Sequence, residues 1–308
     1  MQRERPFSGP LRKAGKTVFN WLAAALRKAG FYLLRKSYYL PIPDEDELKF
    51  QSNSRLLGID MRDEAQLLFT REIILKYKSE FDAFPADAAL NHRGFYLVNG
   101  SFMAGDGNAY YALIRNLKPK TIVEIGAGNS TLLANHAIQQ NMREDGRYQC
   151  RFIAIEPYPP DSLAGLETLT ELREAKLQEV GPEFFSQLES GDILFIDSTH
   201  VLRSGGDVWL EYCEIIPRLR PGVHIHIHDI SLPKPYPLIY YESGWFWNEQ
   251  FVLQALLTNN SRLQVLWAGT YLFDKYPEQM KAAFSPEYEL MRKKYPLAEP
   301  SSFWMKVR

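Results

Sequence analysis

The chain has 308 residues, and 36 Lys+Arg against 37 Asp+Glu leave a formal charge of −1. With 45% apolar and 24% charged residues it can bury the core of one large domain or two small ones, which excludes general disorder, a collagen-like repeat and a disulfide scaffold. The near-zero charge excludes a protein that coats nucleic acid by bulk electrostatics, yet it hides a split: residues 1–40 carry nine Lys/Arg and one acid, Glu4, so the other 268 hold 27 basic and 36 acidic residues, a balance of −9.

Residues 1–16 are basic and contain Pro6 and Pro10, a composition expected to be poorly ordered. From Thr17 to Tyr39 the pattern is amphipathic. Val18, Trp21, Leu22, Ala25 and Leu26 share a helical face, with Arg27, Lys28, Arg35 and Lys36 as basic flanks. Two readings fit residues 17–39: a helix packed on the domain, or a helix lying on an anionic membrane surface. No stretch reaches the roughly 18–20 apolar residues of a transmembrane helix; the nearest, Phe19–Leu26, stops at Arg27 and Lys28. No signal-peptide cleavage pattern is evident, and Cys150 and Cys213 have no metal-type spacing and suit a reducing compartment. The expectation is a cytoplasmic protein, which under the second reading touches the inner membrane surface peripherally.

Pro41, Pro43 and the acidic run Asp44–Glu47 break the chain, which divides it into a basic extension, 1–45, and a domain, 46–308. Within that domain 46–94 reads as a helical cap, with a helix over Arg62–Asp82, and 95–308 as the core. In the core, predicted strands and helices alternate: Thr121–Ile125, a helix Thr131–Gln140, Phe152–Ile155, a helix near Ser162–Glu174, Lys176–Val180, Ile193–Ile196, a helix Val208–Leu219, and Val223–His228. A helix Asn248–Leu257, a strand Leu263–Trp267, a helix around Pro277–Phe284 and a strand Ser302–Val307 follow. Alternation with near-continuous apolar strands means an α/β fold, a parallel sheet covered by helices on both faces.

The stretch Thr121-Ile-Val-Glu-Ile-Gly-Ala-Gly-Asn-Ser-Thr131 is a strand, a tight glycine turn and a helix start. Gly126 and Gly128 let the backbone approach a ligand, and Ser130 or Thr131 can cap the helix. Thr131 stands where the third glycine of the dinucleotide pattern would be, which disfavours a pyrophosphate-binding dehydrogenase. Glu156 ends the next strand, where a carboxylate accepts hydrogen bonds from two ribose hydroxyls.

Glu124-Ile-Gly-Ala-Gly128, Ile155-Glu156 and Asp192-Ile-Leu-Phe-Ile-Asp197 resemble the class I S-adenosylmethionine (SAM) methyltransferases over about residues 95–308. Asp197-Ser-Thr-His200 and His228-Asp-Ile-Ser-Leu-Pro233 are similar to a subfamily met among sugar- and polysaccharide-tailoring enzymes. The resemblance implies a Rossmann-like, seven-stranded, mostly parallel sheet of order 3-2-1-4-5-7-6 with the last strand antiparallel. It further implies that Gly126, Ala127, Gly128 and Ser130 hold the methionine end of SAM, that Glu124 orders the loop, and that Glu156, with Asp197, completes the cofactor site. Asp106 and Asn108 are hinted at the methionine carboxylate end.

Ligands of open α/β sheets sit beyond the carboxyl ends of the strands. Asp197 ends one strand and His228-Asp229 the next, so Asp197, His228 and Asp229 are candidate ligands for a divalent cation (Mg, Mn, Fe or Zn). Without a metal, His228 or His200 is the candidate base toward a substrate hydroxyl. His224, His226 and His228 alternate on one strand face; the first two are expected to be buried, neutral and fully hydrogen-bonded. The aromatic segment Trp245-Phe-Trp-Asn248 and its Pro/Tyr-rich approach suit stacking on a sugar ring or closing over a substrate, with Asn248 as a helix cap.

The function expected is SAM-dependent O-methylation of a sugar or glycan-like hydroxyl, the acceptor being small or lipid-linked. An iron hydroxylase on the same fold and a non-catalytic SAM-binding protein are the alternatives. The oligomeric state is left open.

Overall fold

The computed structural model describes residues 10–34, 37, 39–88 and 94–308. It divides between Phe50 and Gln51 into two compact units.

In the first unit a helix runs from Pro10 to Lys28, so ordered helix begins inside the stretch expected to lack structure. Leucine, alanine and lysine dominate its second half, all good helix formers, and Gly30 at φ +87° ends it. The amphipathic pattern therefore stops being helical at Lys28 rather than at Tyr39, and Arg35 and Lys36 lie outside the described residues. A second helix, Glu45–Lys49, starts at a capping box: the Asp44 carboxylate accepts from the amides of Asp46 and Glu47, and Glu47 accepts from the Asp44 amide.

The second unit is built on a seven-stranded sheet: β1 Thr121–Ile125, β2 Arg151–Ile155, β3 Leu169–Arg173, β4 Ile193–Ile196, β5 His224–Ile227, β6 Leu263–Ala268 and β7 Phe303–Val307. Its order is β3-β2-β1-β4-β5-β7-β6, with β7 antiparallel to both neighbours. This is the Rossmann-like methyltransferase topology that the sequence implied. The central strands β1, β2, β4 and β5 are almost wholly buried, as expected of a parallel sheet with both faces covered. Helices Asp106–Leu117 and Asn129–Glu144 flank β1. A helical run over 63–82 packs at the β6 edge, where buried Gln66 and Thr70 bond to the Ala268 amide and the Trp267 indole.

One crossover differs from expectation. The helix expected at Ser162–Glu174 is a single turn, Asp161–Leu163, followed by β3, and the strand expected at Lys176–Val180 is a short helix, Leu177–Val180. Leu163, Leu166, Leu169 and Leu172 recur every third residue, which mimics a helical stripe. β3 is an edge strand paired only with β2, so only part of it is buried and its charged Glu171 and Arg173 blur the alternation. The helices Gly269–Lys275 and Glu287–Lys294 were also not anticipated.

Candidate functional site

Three backbone bonds extend the sheet one residue past its strands. Gly126 N donates to Ile155 O at 3.0 Å, Asp197 N to Ile125 O at 2.8 Å, and His228 N to Ile196 O at 2.9 Å. Gly126, Asp197 and His228 are thereby lined up side by side along the carboxyl edge, and the loops after them enclose a groove of about 450 Å³. That volume falls in the ordinary range of small-molecule sites.

The first wall is the glycine turn. Gly126 sits at φ +85°, and a Cβ there would lie 2.0 Å from the Asp197 carbonyl oxygen, so no other residue fits. At Gly128 a Cβ would meet nothing, which leaves bare main chain facing the groove. The turn is held from below by Glu124, which is fully buried. Its carboxyl accepts from Tyr110 Oη at 2.8 Å and from Thr131 Oγ1 at 2.6 Å, and that hydroxyl in turn accepts from the Gly128 amide at 3.0 Å. Thr131, rather than Ser130, therefore caps the turn. Burial pushes the Glu124 pKa up to about 8, against the two donated hydrogen bonds. Ala127 and Ser130 line the groove, as does Glu156 at the end of β2, whose Oε1 accepts from the Tyr158 amide at 2.8 Å.

The second wall is a cluster of acids around two imidazoles. His200 Nε2 stands 3.3 Å from Asp197 and 3.4 Å from Asp229, while its Nδ1 is 2.8 Å from the fully buried Glu249. Tyr212 Oη donates to the other Glu249 oxygen at 3.0 Å. His228 Nδ1 is 3.6 Å from both Asp197 and Asp229, and its Nε2 is 3.5 Å from Asp106. Ser301 Oγ donates to Asp229 at 3.2 Å, and the Asp106 carboxylate accepts from the Ser301 and Ser302 amides. His200 and Asp229 both hold left-handed backbone, φ +59° and +55°, an uncommon and strained conformation for side-chain-bearing residues.

Burial opposes charge on either imidazole. At His200 the hydrogen bonds to Asp197 and Glu249 outweigh it, and at His228 the charges of Asp229 and Asp197 do, so both pKa values rise well above the ordinary range. Burial likewise opposes ionised Asp197, yet the two imidazoles hold its pKa well below the carboxylate range. Behind the cluster, burial beside Glu249 and Asp207 raises the Glu211 pKa well above that of a free carboxyl.

The donor atoms of Asp197, His200 and Asp229 all lie within 4.8 Å of one another. The converging set thus contains His200 where His228 was expected, with His228 alongside. Two carboxylates and an imidazole suit a hard or borderline divalent cation, and Glu249 on Nδ1 stands where an outer carboxylate would fix the tautomer of such a histidine.

The third wall is aromatic. Trp245 and Trp247 stack at 5.4 Å and 10°, Tyr240 meets Trp247 at 4.7 Å, and Trp247 covers His200 at 4.3 Å. Asn248 starts the helix Glu249–Leu257, but its side chain does not cap it; Oδ1 accepts from the Leu202 amide and so ties the His200 loop to the aromatic segment.

His224 and His226 do not reach the groove. Burial lowers both, His224 to about 4 and His226 well below the ordinary imidazole range, so they are neutral as expected. The expectation of complete hydrogen bonding fails: His226 Nε2 pairs with Ser302 at 2.8 Å, but Nδ1 of each ring has no partner among the described residues. Asn108 faces away, engaged with the Gly105 amide and Glu287. Sequence reasoning missed Glu249, Tyr212 and Ser301; each is an ordinary polar residue until the fold brings it to the cluster.

Residues 123–230 match the family model described as "Methyltransferase domain". An uncharacterised protein of Archaeoglobus fulgidus is 33% identical over 168 residues, which is 51% of this chain and 73% of that protein. Two solved structures align over 61% of this chain and 75% of theirs at 16% identity: cmcI-D160 with Mg and SAM, TM-score 0.33, and CmcI-N160 in its apo form, TM-score 0.35.

Proposed function

We propose, from the match of residues 123–230 to a methyltransferase domain, that the chain is a class I SAM-dependent methyltransferase and that it methylates a hydroxyl of a sugar or glycan-like acceptor with a divalent cation at Asp197, His200 and Asp229. The observation that carries the reading is the groove itself, which sets a bare-backbone cradle, an acid–imidazole cluster and an aromatic wall around one space.

SAM supplies an electrophilic methyl group on a positively charged sulfur. The turn at Gly126–Gly128 and the first amides of the helix Asn129–Glu144 would hold its amino-acid end, and Glu156 its ribose hydroxyls. Asp197, Asp229 and Glu156 make the groove acidic, which favours a cationic cofactor. The cation would supply Lewis acidity that eases loss of the acceptor's hydroxyl proton. Glu249 stands at His200 Nδ1 and would hold the proton there, so that Nε2 would give up its own proton and offer its lone pair to the cation. His228 lies between Asp106, Asp197 and Asp229; with a cation offsetting the last two carboxylates, its imidazole would give up its own proton and be free to take the departing one. Trp245 and Trp247 offer ring faces to a pyranose, and with Tyr240 they cover the acids from water. The reaction needs little beyond this alignment of hydroxyl and methyl.

The test is turnover of SAM with a panel of sugar and glycan acceptors, read as S-adenosylhomocysteine formed and one CH₂ gained by the product. Mg²⁺ or Mn²⁺ should raise the rate and a chelator suppress it. Transfer to nitrogen or carboxylate acceptors but to no hydroxyl would refute the acceptor class, and full activity in chelator would refute the cation.

A further inference from the structure

We propose that the helix Pro10–Lys28 docks on an anionic lipid surface, lying along it with its apolar face in the headgroup region. At 3.6 residues per turn, Val18, Phe19, Trp21, Leu22, Ala25 and Leu26 occupy less than half of the circumference, with Asn20 and Arg27 on the opposite side and Lys28 at the edge of the stripe beside Trp21. An apolar stripe of this kind is ordinarily covered by protein. Here Val18, Trp21 and Leu22 are 65%, 72% and 43% exposed. The segment after Gly30 adds Phe31, Tyr32 and Leu34, also exposed, and the Arg27 guanidinium lies 5.9 Å from the Tyr32 ring centre.

Charge selects the occupant. The first turn of the helix has no acid, its last turn ends on Arg27 and Lys28, and residues 1–40 hold nine Lys/Arg against one acid. A neutral apolar partner would gain nothing from that excess, whereas an anionic bilayer gains with each basic residue brought near it. Aromatic and aliphatic residues on one face with Lys/Arg on the other is the make-up of helices that rest in the interface plane. Nineteen residues would reach across a hydrocarbon core at 1.5 Å each, but no described helix is apolar enough to cross a membrane, so the helix lies on the surface. The inference does not depend on which acceptor the catalytic unit uses.

The experiment is flotation of the full chain with vesicles of phosphatidylcholine alone and of phosphatidylcholine with phosphatidylglycerol. Wild type should bind the mixed vesicles, weaken in high salt, and bind the neutral vesicles at least about tenfold less tightly. Trp21→Glu with Leu22→Glu should lower binding to the mixed vesicles by about tenfold or more, and Arg27→Ser with Lys28→Ser by several-fold. SAM binding and thermal unfolding should match wild type in both variants, because these residues lie in the other unit from the groove. Three results would overturn the proposal: no binding to mixed vesicles, equal binding by wild type and the double-glutamate variant, or a self-association that this variant abolishes in a protein that ignores vesicles.

Discussion

Along Gly126–Gly128 the groove is walled by main chain, held in shape by a single buried carboxyl at Glu124. Across from it the wall is side chain only, drawn from Asp106, Asp197, His200, His228, Asp229 and Glu249, which sit on four separate stretches of the chain. The first wall is sensitive to added bulk and nearly indifferent to charge. The second depends on its charges, because each imidazole is balanced against three acids. On the proposed reading, binding the cofactor and activating the acceptor are therefore separable by substitution.

The largest effect should come from breaking the second wall. Asp197→Asn removes the carboxylate that faces both imidazoles, and turnover should fall by about a thousandfold in steady-state assays. His228→Ala should abolish transfer while a SAM titration shows affinity nearly intact; unchanged turnover would deny His228 its role. On the first wall, Gly126→Ala should weaken SAM binding by about a hundredfold, seen by calorimetry, because the added methyl collides with the Asp197 carbonyl.

Two imidazoles on one strand sharpen the contrast. His228 is held charged by acids, whereas burial, with Lys306 next, drops His224 to about 4. The unfolded chain binds a proton at His224 near pH 6.5 and the folded one only near 4, so its stabilisation is present above 6.5 and lost as pH falls through that window. The loss amounts to about 3 kcal/mol. Denaturant unfolding of His224→Leu should show a flatter decline between pH 6.5 and 4; an unchanged slope would count against it. The smallest effect belongs to Glu249→Gln, which keeps the shape but loses the charge on His200 Nδ1. Cation affinity should drop by about ten- to a hundredfold, measured by titration calorimetry.

The same contrast explains how much could be read from residues alone. The strand order and the glycine turn were legible because they follow from local signals: apolar runs, glycines between strand and helix, and an acid at a strand end. β3 was misplaced because an edge strand is half solvated and its leucines happened to recur at helical spacing. The acid–imidazole wall was legible only where it continues a strand, at Asp197 and His228-Asp229. Glu249 opens a helix, where an acid is ordinarily a dipole partner, and Ser301 lies in a connecting loop. Neither carries a local mark of its position, because that position depends on contacts dozens of residues away.

The missing side chain at Gly126 has a consequence beyond binding. Its backbone is pressed so closely to the Asp197 carbonyl that the glycine turn and the acid form one rigid piece, fastened through β1 and β4. The separation between donor and activating acid is then an attribute of the sheet, set before any ligand arrives. The acceptor-facing wall, by contrast, is carried by the outlying segment 231–251. On the proposed reading, that segment can change shape while the distance from donor to acid, fixed by the sheet, does not.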